Sequence, residues 1–155
     1  LHVVFKANKI KLRHRSLRSS KSFLLIGKIL RQYAEHFSVR VEQLTIQHDH
    51  LHLLLRTARR SQFHHFFRVI SGQISQRLEK EGLLVAKSNV TDTPREGRAM
   101  LWMYRPFSRV VRGWRAYKIV RNYIQLNKKE VRQEIPYRKK RLRGLSTGEW
   151  EILWS

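Results

Sequence analysis

Alternation of apolar and polar positions marks the first strands of the chain. Residues 1–5 are rich in β-branched and aromatic side chains, which predicts a first strand. Residues 39–46 predict a second strand. The turn at residues 47–49 predicts that this strand pairs back, as a hairpin, with a third strand ending at Leu55.

Apolar residues at helical spacing predict three helices. The first begins among the serines of residues 19–22 and runs to about residue 37. The second spans residues 62–81, and the third runs from about residue 114 to residue 134, before Pro136. Each stripe of apolar residues predicts a helix with one face on a core.

The region between the second and third helices completes the order of elements. Polar residues 86–98 predict a loop, and residues 99–111 predict a fourth strand interrupted at Pro106. The order β-α-β-β-α-β predicts an α+β fold, a ferredoxin-like or RRM-like antiparallel sheet with two helices on one face. The third helix follows this unit. We therefore divide the chain into a domain of residues 1–135 and a basic C-terminal tail of residues 136–155.

The charge of the chain predicts its partner. Its 155 residues carry 33 Lys and Arg against 11 Asp and Glu, a net charge of +22, and such self-repulsion favours a polyanionic partner, above all nucleic acid. We expect phosphate contacts from two basic groups, Lys9, Lys11, Arg13 and Arg15 near the N-terminus and Arg138, Lys139, Lys140, Arg141 and Arg143 in the tail.

Cysteine usage and hydropathy bear on the compartment. The chain has no cysteine, which excludes disulfides and thiolate zinc sites and fits a reducing cytoplasm. No apolar run approaches the roughly 20 residues of a membrane span, so we expect no membrane partner. The expectation is a cytoplasmic, nucleoid-associated protein.

The third strand carries candidate metal ligands. Side chains alternate along a strand, so His50 and His52 share the face opposite Leu51 and Leu53. Two neutral imidazoles on a stiff element supply half of a divalent-metal site. The alternative is two partly exposed histidines in a basic protein that has eight.

The third helix carries a second polar pair. Tyr123 and Asn127 are four residues apart and so share one helix face. Asn127 could complete a metal site with His50 and His52 through its oxygen, with Tyr123 directed at whatever the metal polarises. Tyr123 could instead be an ordinary residue of an amphipathic helix.

These residues resemble the signatures of a known family, the single-tyrosine HUH transposases of small bacterial insertion sequences with their REP-associated relatives. The run Asp49-His50-Leu51-His52-Leu53-Leu54 is similar to the family's His-hydrophobic-His motif. Tyr123-Ile124-x-x-Asn127 is similar to its tyrosine-helix motif, and residues 2–6 are similar to its first strand. Asn127 stands where Gln is more usual, and His48 replaces a usual Pro. The resemblance covers residues 1–130.

The resemblance implies a function. The protein would nick and rejoin single-stranded hairpin DNA, with Tyr123 as nucleophile forming a 5′-phosphotyrosine link. His50, His52 and Asn127 would hold Mg²⁺ or Mn²⁺, and a homodimer is possible. Two alternatives remain, a non-catalytic RNA- or DNA-binding module on an RRM-like sheet and a host-adopted relative that binds hairpin DNA without moving itself.

Overall fold

The computed structural model describes residues 1–85 and 101–155. The predicted loop at residues 86–98 and the first two residues of the predicted fourth strand lie outside these ranges. No helix among the described residues has the length and apolar character that crossing a membrane requires.

Four antiparallel strands form one sheet. They are β1 (His2–Lys6), β2 (Arg40–Ile46), β3 (His50–Arg56) and β4 (Phe107–Arg109), and their order across the sheet is β2-β3-β1-β4. This order, with β1 and β3 at the centre, is the one that a ferredoxin-like β-α-β-β-α-β unit produces, so the predicted fold class is confirmed.

The fourth strand is much shorter than the sequence predicts. Ladder pairing with β1 covers only Phe107–Arg109, and an isolated bridge joins Ala7 to Trp102. Pro106 lies between these two pairings and has no backbone N–H to donate, which accounts for the interruption.

Two helices cover one face of the sheet and create the main core. They are α1 (Ser20–His36) and α2 (Arg60–Lys80), close to their predicted bounds. The α2 residues at positions 66, 70, 74 and 78 are fully buried, as the helical stripe predicts. Leu51 and Leu53 of β3 point into this core, so the opposite face of β3 carries the histidines.

The third helix lies across the other face, against β2 and β3. It is α3 (Trp114–Val131), and it begins after Gly113, whose φ of +80° suits glycine. The Thr45 hydroxyl donates to the carbonyl of Ile124 at 3.1 Å, and Gln125 Nε2 donates to Gln43 Oε1 at 2.6 Å. These two bonds fix the middle of α3, and with it Tyr123, over the hairpin.

The C-terminal segment is folded against α3. A short helix that the sequence analysis does not predict, α4 (Thr147–Trp154), begins with a capping box between Ser146 and Glu149. A second apolar cluster joins α3 to this segment through Leu126, Ile135 and Leu153. The segment that carries the C-terminal basic residues is therefore packed on α3.

Candidate active site

Three imidazoles lie together on the face of the sheet that carries α3. His50 and His52 of β3 have ring centroids 6.0 Å apart, and His2 of β1 stacks on His52 at 5.9 Å. His2 belongs to the predicted first strand, but the sequence analysis gives it no role. The sequence does contain a signal for His2. Side chains alternate along a strand, so His2 points to the face opposite the buried Val3, which is the face that carries the other histidines.

Asp49 orients His50. Its Oδ1 lies 2.8 Å from His50 Nδ1, in a hydrogen bond that the imidazole donates when Nδ1 carries its proton. That tautomer leaves Nε2 of His50 with a free lone pair. A carboxylate behind an imidazole is the usual arrangement around histidines that bind metals. The sequence pattern includes Asp49 only as part of the motif, and the signal for this role is its place directly before His50.

His52 is held in its neutral form. Its Nδ1 is buried and has no hydrogen-bond partner. Burial, and to a smaller extent the nearby cationic Arg141 and the repulsion that protonated His2 or His50 would add, lowers the pKa of His52 to about 3. A neutral imidazole is the form that can donate a lone pair to a cation.

Tyr123 stands over the histidine face. Its ring meets the His52 ring edge-on at 5.8 Å between centroids and the His2 ring at 6.2 Å. Arg141 of the C-terminal segment lies on the Tyr123 ring, 5.3 Å from its centroid. The structure therefore brings Tyr123 and the two predicted histidines together in one chain.

Asn127 is placed differently. It is buried, and its Oδ1 accepts a hydrogen bond from Arg141, whose guanidinium also contacts both carboxylate oxygens of Glu130 at 2.6 and 2.7 Å. Asn127 does not line the cleft that contains Tyr123 and the histidines. The oxygen of Asn127, the predicted third metal ligand, is thus already bonded to Arg141.

The histidine face opens into a cleft of about 580 Å³. It is bounded by Tyr123 on the α3 side and by β4 and the segment before it on the other. The lining residues are His2, Val4, Lys6, Gln47, His50, His52, Tyr104, Arg105, Phe107, Arg109 and Tyr123. None of these is acidic, so the cleft presents donors and positive charge to a ligand.

The predicted N-terminal basic group does not line this cleft, and Lys9 is the member that contacts the histidine motif, through Asp49. Lys9 and Lys11 belong to a short 3₁₀ turn, and Lys9 Nζ is 3.8 Å from the carboxylate of Asp49. Arg13 donates to the carbonyl of Gly82 at 3.0 Å, and Arg15 is exposed. Phosphate binding by this group stays a prediction.

The predicted C-terminal basic group divides in two. Arg138 pairs with Glu149 and Arg141 with Glu130, so both hold the C-terminal segment in place. Lys139, Lys140 and Arg143 are exposed. Only these three are displayed for an external anion.

Among residues 1–85 and 101–155, no group of three or more His, Cys, Asp or Glu side chains converges as a metal site would. The two histidines of β3 nevertheless suit a cation, because one is oriented by a carboxylate and the other is neutral with a buried, unpartnered nitrogen. The case for a cation site therefore depends on His50 and His52.

Comparison with known proteins gives a family match over most of the chain. Residues 1–127 match the model described as "Transposase IS200 like". A crystal structure of a candidate transposase from Deinococcus radiodurans R1 has the same fold, with a TM-score of 0.52, 17% identity, and coverage of 81% of this chain and 88% of the other. Among curated proteins none matches.

Proposed function

Because the chain belongs to the IS200-like transposase family, we propose that it cleaves and rejoins single-stranded DNA with Tyr123 as its nucleophile. The family makes the chain a DNA transposase, an enzyme of DNA cleavage and transfer whose partner is DNA. The observation that supports Tyr123 is its position in the cleft, 5.8 Å from the ring of His52. No other tyrosine combines this position with a contact to the histidines among the described residues.

The reaction is a transfer of one phosphodiester linkage. The Tyr123 oxygen loses its proton to solvent and forms a bond to phosphorus, while the bond to the 3′ oxygen of the neighbouring nucleotide breaks. That oxygen takes up a proton to become a 3′-hydroxyl, and the DNA remains joined to the protein through a 5′-phosphotyrosine. A free 3′-hydroxyl reverses the step and joins a new strand, so the bond energy is conserved. Fixing Tyr123 on a helix that is bonded to β2 supplies the positioning that a weak nucleophile needs.

His50 and His52 are the residues that would hold a divalent cation, Mg²⁺ or Mn²⁺. Such a cation supplies positive charge beside the phosphate that Tyr123 attacks. Asp49 keeps Nε2 of His50 available, and burial keeps His52 neutral. Asn127 would join them only after its oxygen exchanges Arg141 for the cation.

We further propose that Tyr123 serves the histidines of its own chain. Both sit in one chain's cleft, and the C-terminal segment packs on the same helix through Leu126 and Ile135. A homodimer is compatible with this arrangement but is not required to complete the site.

The experiment is incubation of the full chain with a labelled single-stranded hairpin in Mg²⁺ or Mn²⁺, followed by a denaturing gel. The wild type should give a shorter strand and a covalent protein–DNA band. Tyr123→Phe removes only the phenolic oxygen, so both should vanish while binding of the uncleaved hairpin persists.

Tyr117→Phe is the matched control, because Tyr117 is on the same helix but does not line the cleft. Its covalent band should equal that of the wild type. A covalent band of normal yield from Tyr123→Phe would overturn the proposal, and its loss in Tyr117→Phe alone would move the nucleophile to Tyr117. A wild type that binds hairpin DNA but never forms the band would favour a host-adopted or non-catalytic relative.

A further inference from the structure

The edge of the cleft farthest from α3 is unusually aromatic and exposed. Tyr104 and Phe107 both line the cleft, yet 66% and 60% of their surfaces are open to solvent. The order of strands places β4 at the sheet edge, where it pairs with β1. Neither ring stacks on another aromatic ring of the described residues, so each keeps a free face.

Arginines alternate with these rings. Arg105 follows Tyr104, and Arg109 lies two residues beyond Phe107 on the same strand face. All four line the cleft, whose described lining holds no carboxylate. Flat apolar rings interleaved with guanidinium groups match a strand of nucleic acid, whose bases stack and whose phosphates bind cations. Protein-binding surfaces more often combine apolar side chains with charges of both signs. The lining of this cleft has positive charge only, which favours nucleic acid as the partner.

The register of the sheet connects this edge to the site. Phe107 pairs with Val4, and Val4 pairs with His52, so the three side chains form one row across β4, β1 and β3. Neighbouring strands are about 4.8 Å apart, which places Phe107 roughly 10 Å from His52 along this row. A base on Phe107 would therefore belong to the same short stretch of DNA as the phosphate at Tyr123.

We propose that Tyr104 and Phe107 form a stacking platform for unpaired bases next to the scissile phosphate, with Arg105 and Arg109 binding the flanking backbone. The platform rests on the proposed function, because it assigns a path to that substrate. Such a platform would favour single strands, since bases inside a duplex have both faces covered and cannot stack on a side chain.

The test is an abasic scan. A labelled single-stranded oligonucleotide is prepared with one abasic site at each position in turn, and its affinity is measured for the wild type, Phe107→Leu and Phe107→Trp. The wild type should lose about five- to a hundredfold in affinity at one or two positions. Phe107→Leu keeps apolar volume but removes the ring, so sensitivity at one of those positions should disappear. Phe107→Trp should retain it, and Tyr104→Leu should remove sensitivity at the neighbouring position.

Two controls make the result specific. Phe23→Leu changes an aromatic residue of α1, on the opposite face of the sheet, and should leave the abasic profile as in the wild type. A blunt duplex of the same sequence should bind Phe107→Leu and the wild type equally. An equal loss of affinity for the duplex would overturn the assignment to unpaired bases.

The platform and the proposed function fail separately. The platform is refuted if the wild type shows no abasic-sensitive position, or if the sensitivity survives in both Phe107→Leu and Tyr104→Leu. Either result is compatible with a normal covalent band, in which case Tyr123 stands and the platform falls. If the abasic scan gives the expected result but the wild type gives no covalent band, the stacking platform is supported and the proposed reaction of Tyr123 is refuted.

Discussion

The histidine strand and the tyrosine helix face each other across the site, but their candidate ligand atoms differ in whether a protein group already binds them. On β3, His50 keeps one ring nitrogen free and His52 has a buried nitrogen without a partner. On α3, Asn127 is already bonded to Arg141, which is itself held by Glu130. These ring nitrogens of the strand are therefore open to a ligand, whereas the Asn127 oxygen, the atom that could bind a cation, is already bonded within the protein.

This difference distinguishes residues that could bind a ligand from residues that hold the C-terminal segment in place. Groups left without protein partners in a cleft are costly unless a ligand completes them, which makes them functional candidates. Groups that are already paired inside the protein mainly hold structure together, as the Arg141–Glu130 ion pair holds the C-terminal segment on α3. Tyr123 lies between the two groups of residues, with the imidazoles of β3 on one side of its ring and the Arg141 guanidinium on the other.

The largest expected effect comes from removing an imidazole of the strand. His52→Ala should lower the rate of strand cleavage by at least about a hundredfold, because the proposed positive charge beside the phosphate loses a ligand. Titration with Mn²⁺ should show a parallel loss of metal affinity, while hairpin binding stays near the wild-type value.

His50→Ala provides the same test at a half-exposed position, where a buried cavity is not created. Unchanged Mn²⁺ affinity and cleavage in both variants would show that the functional groups lie outside the histidine strand. The proposed difference between β3 and the end of α3 would then be wrong.

A smaller effect is expected from the residue behind His50. Asp49→Ala leaves both histidines in place but removes the acceptor that orients the first of them. Cleavage and Mn²⁺ affinity should fall by about ten- to a hundredfold. Glu42→Ala, which removes a carboxylate of β2 that pairs with Arg56, should leave both quantities unchanged. Equal effects of the two substitutions would indicate a general charge effect instead of orientation.

Sequence patterns predicted β1, β3 and the first three helices well because each of these elements has one clearly apolar face, which the exposed β4 lacks. The leucines of β3 and the phenylalanine stripe of α2 repeat at strand and helix periods, which local sequence encodes directly. The same alternation correctly placed His50 and His52 on the face opposite the leucines. Element order then sufficed to predict the ferredoxin-like arrangement.

The parts that sequence did not predict depend on contacts between distant residues. The bond between Asn127 and Arg141 spans fourteen positions and requires the chain to turn back on α3. No short-range pattern encodes that reversal, and the run of basic residues indicated a DNA-binding tail and no packing on α3. The meeting of His2 with Tyr123 likewise follows only from strand order and from the placement of α3.

The smallest expected effect concerns the anchored end of the helix and is structural. Arg141→Ala leaves the buried Glu130 carboxylate without its guanidinium, so the free energy of unfolding should fall by about 1–3 kcal/mol in urea titration. Arg143→Ala removes an exposed charge from the same segment and should change it by less than about 0.5 kcal/mol. Equal stability of the two variants would show that the Arg141 network does not anchor the segment.

The most direct test of the central claim is to identify the amino acid that becomes joined to DNA. The covalent adduct formed by the wild type is digested with nuclease and trypsin, and the peptide that retains a nucleotide is sequenced by mass spectrometry. Tyr123 is the single tyrosine of the tryptic peptide 122–128, whereas Tyr117 falls in the separate peptide 116–118. We expect the nucleotide on peptide 122–128, at Tyr123. A nucleotide on any other peptide would show that Tyr123 is not the nucleophile.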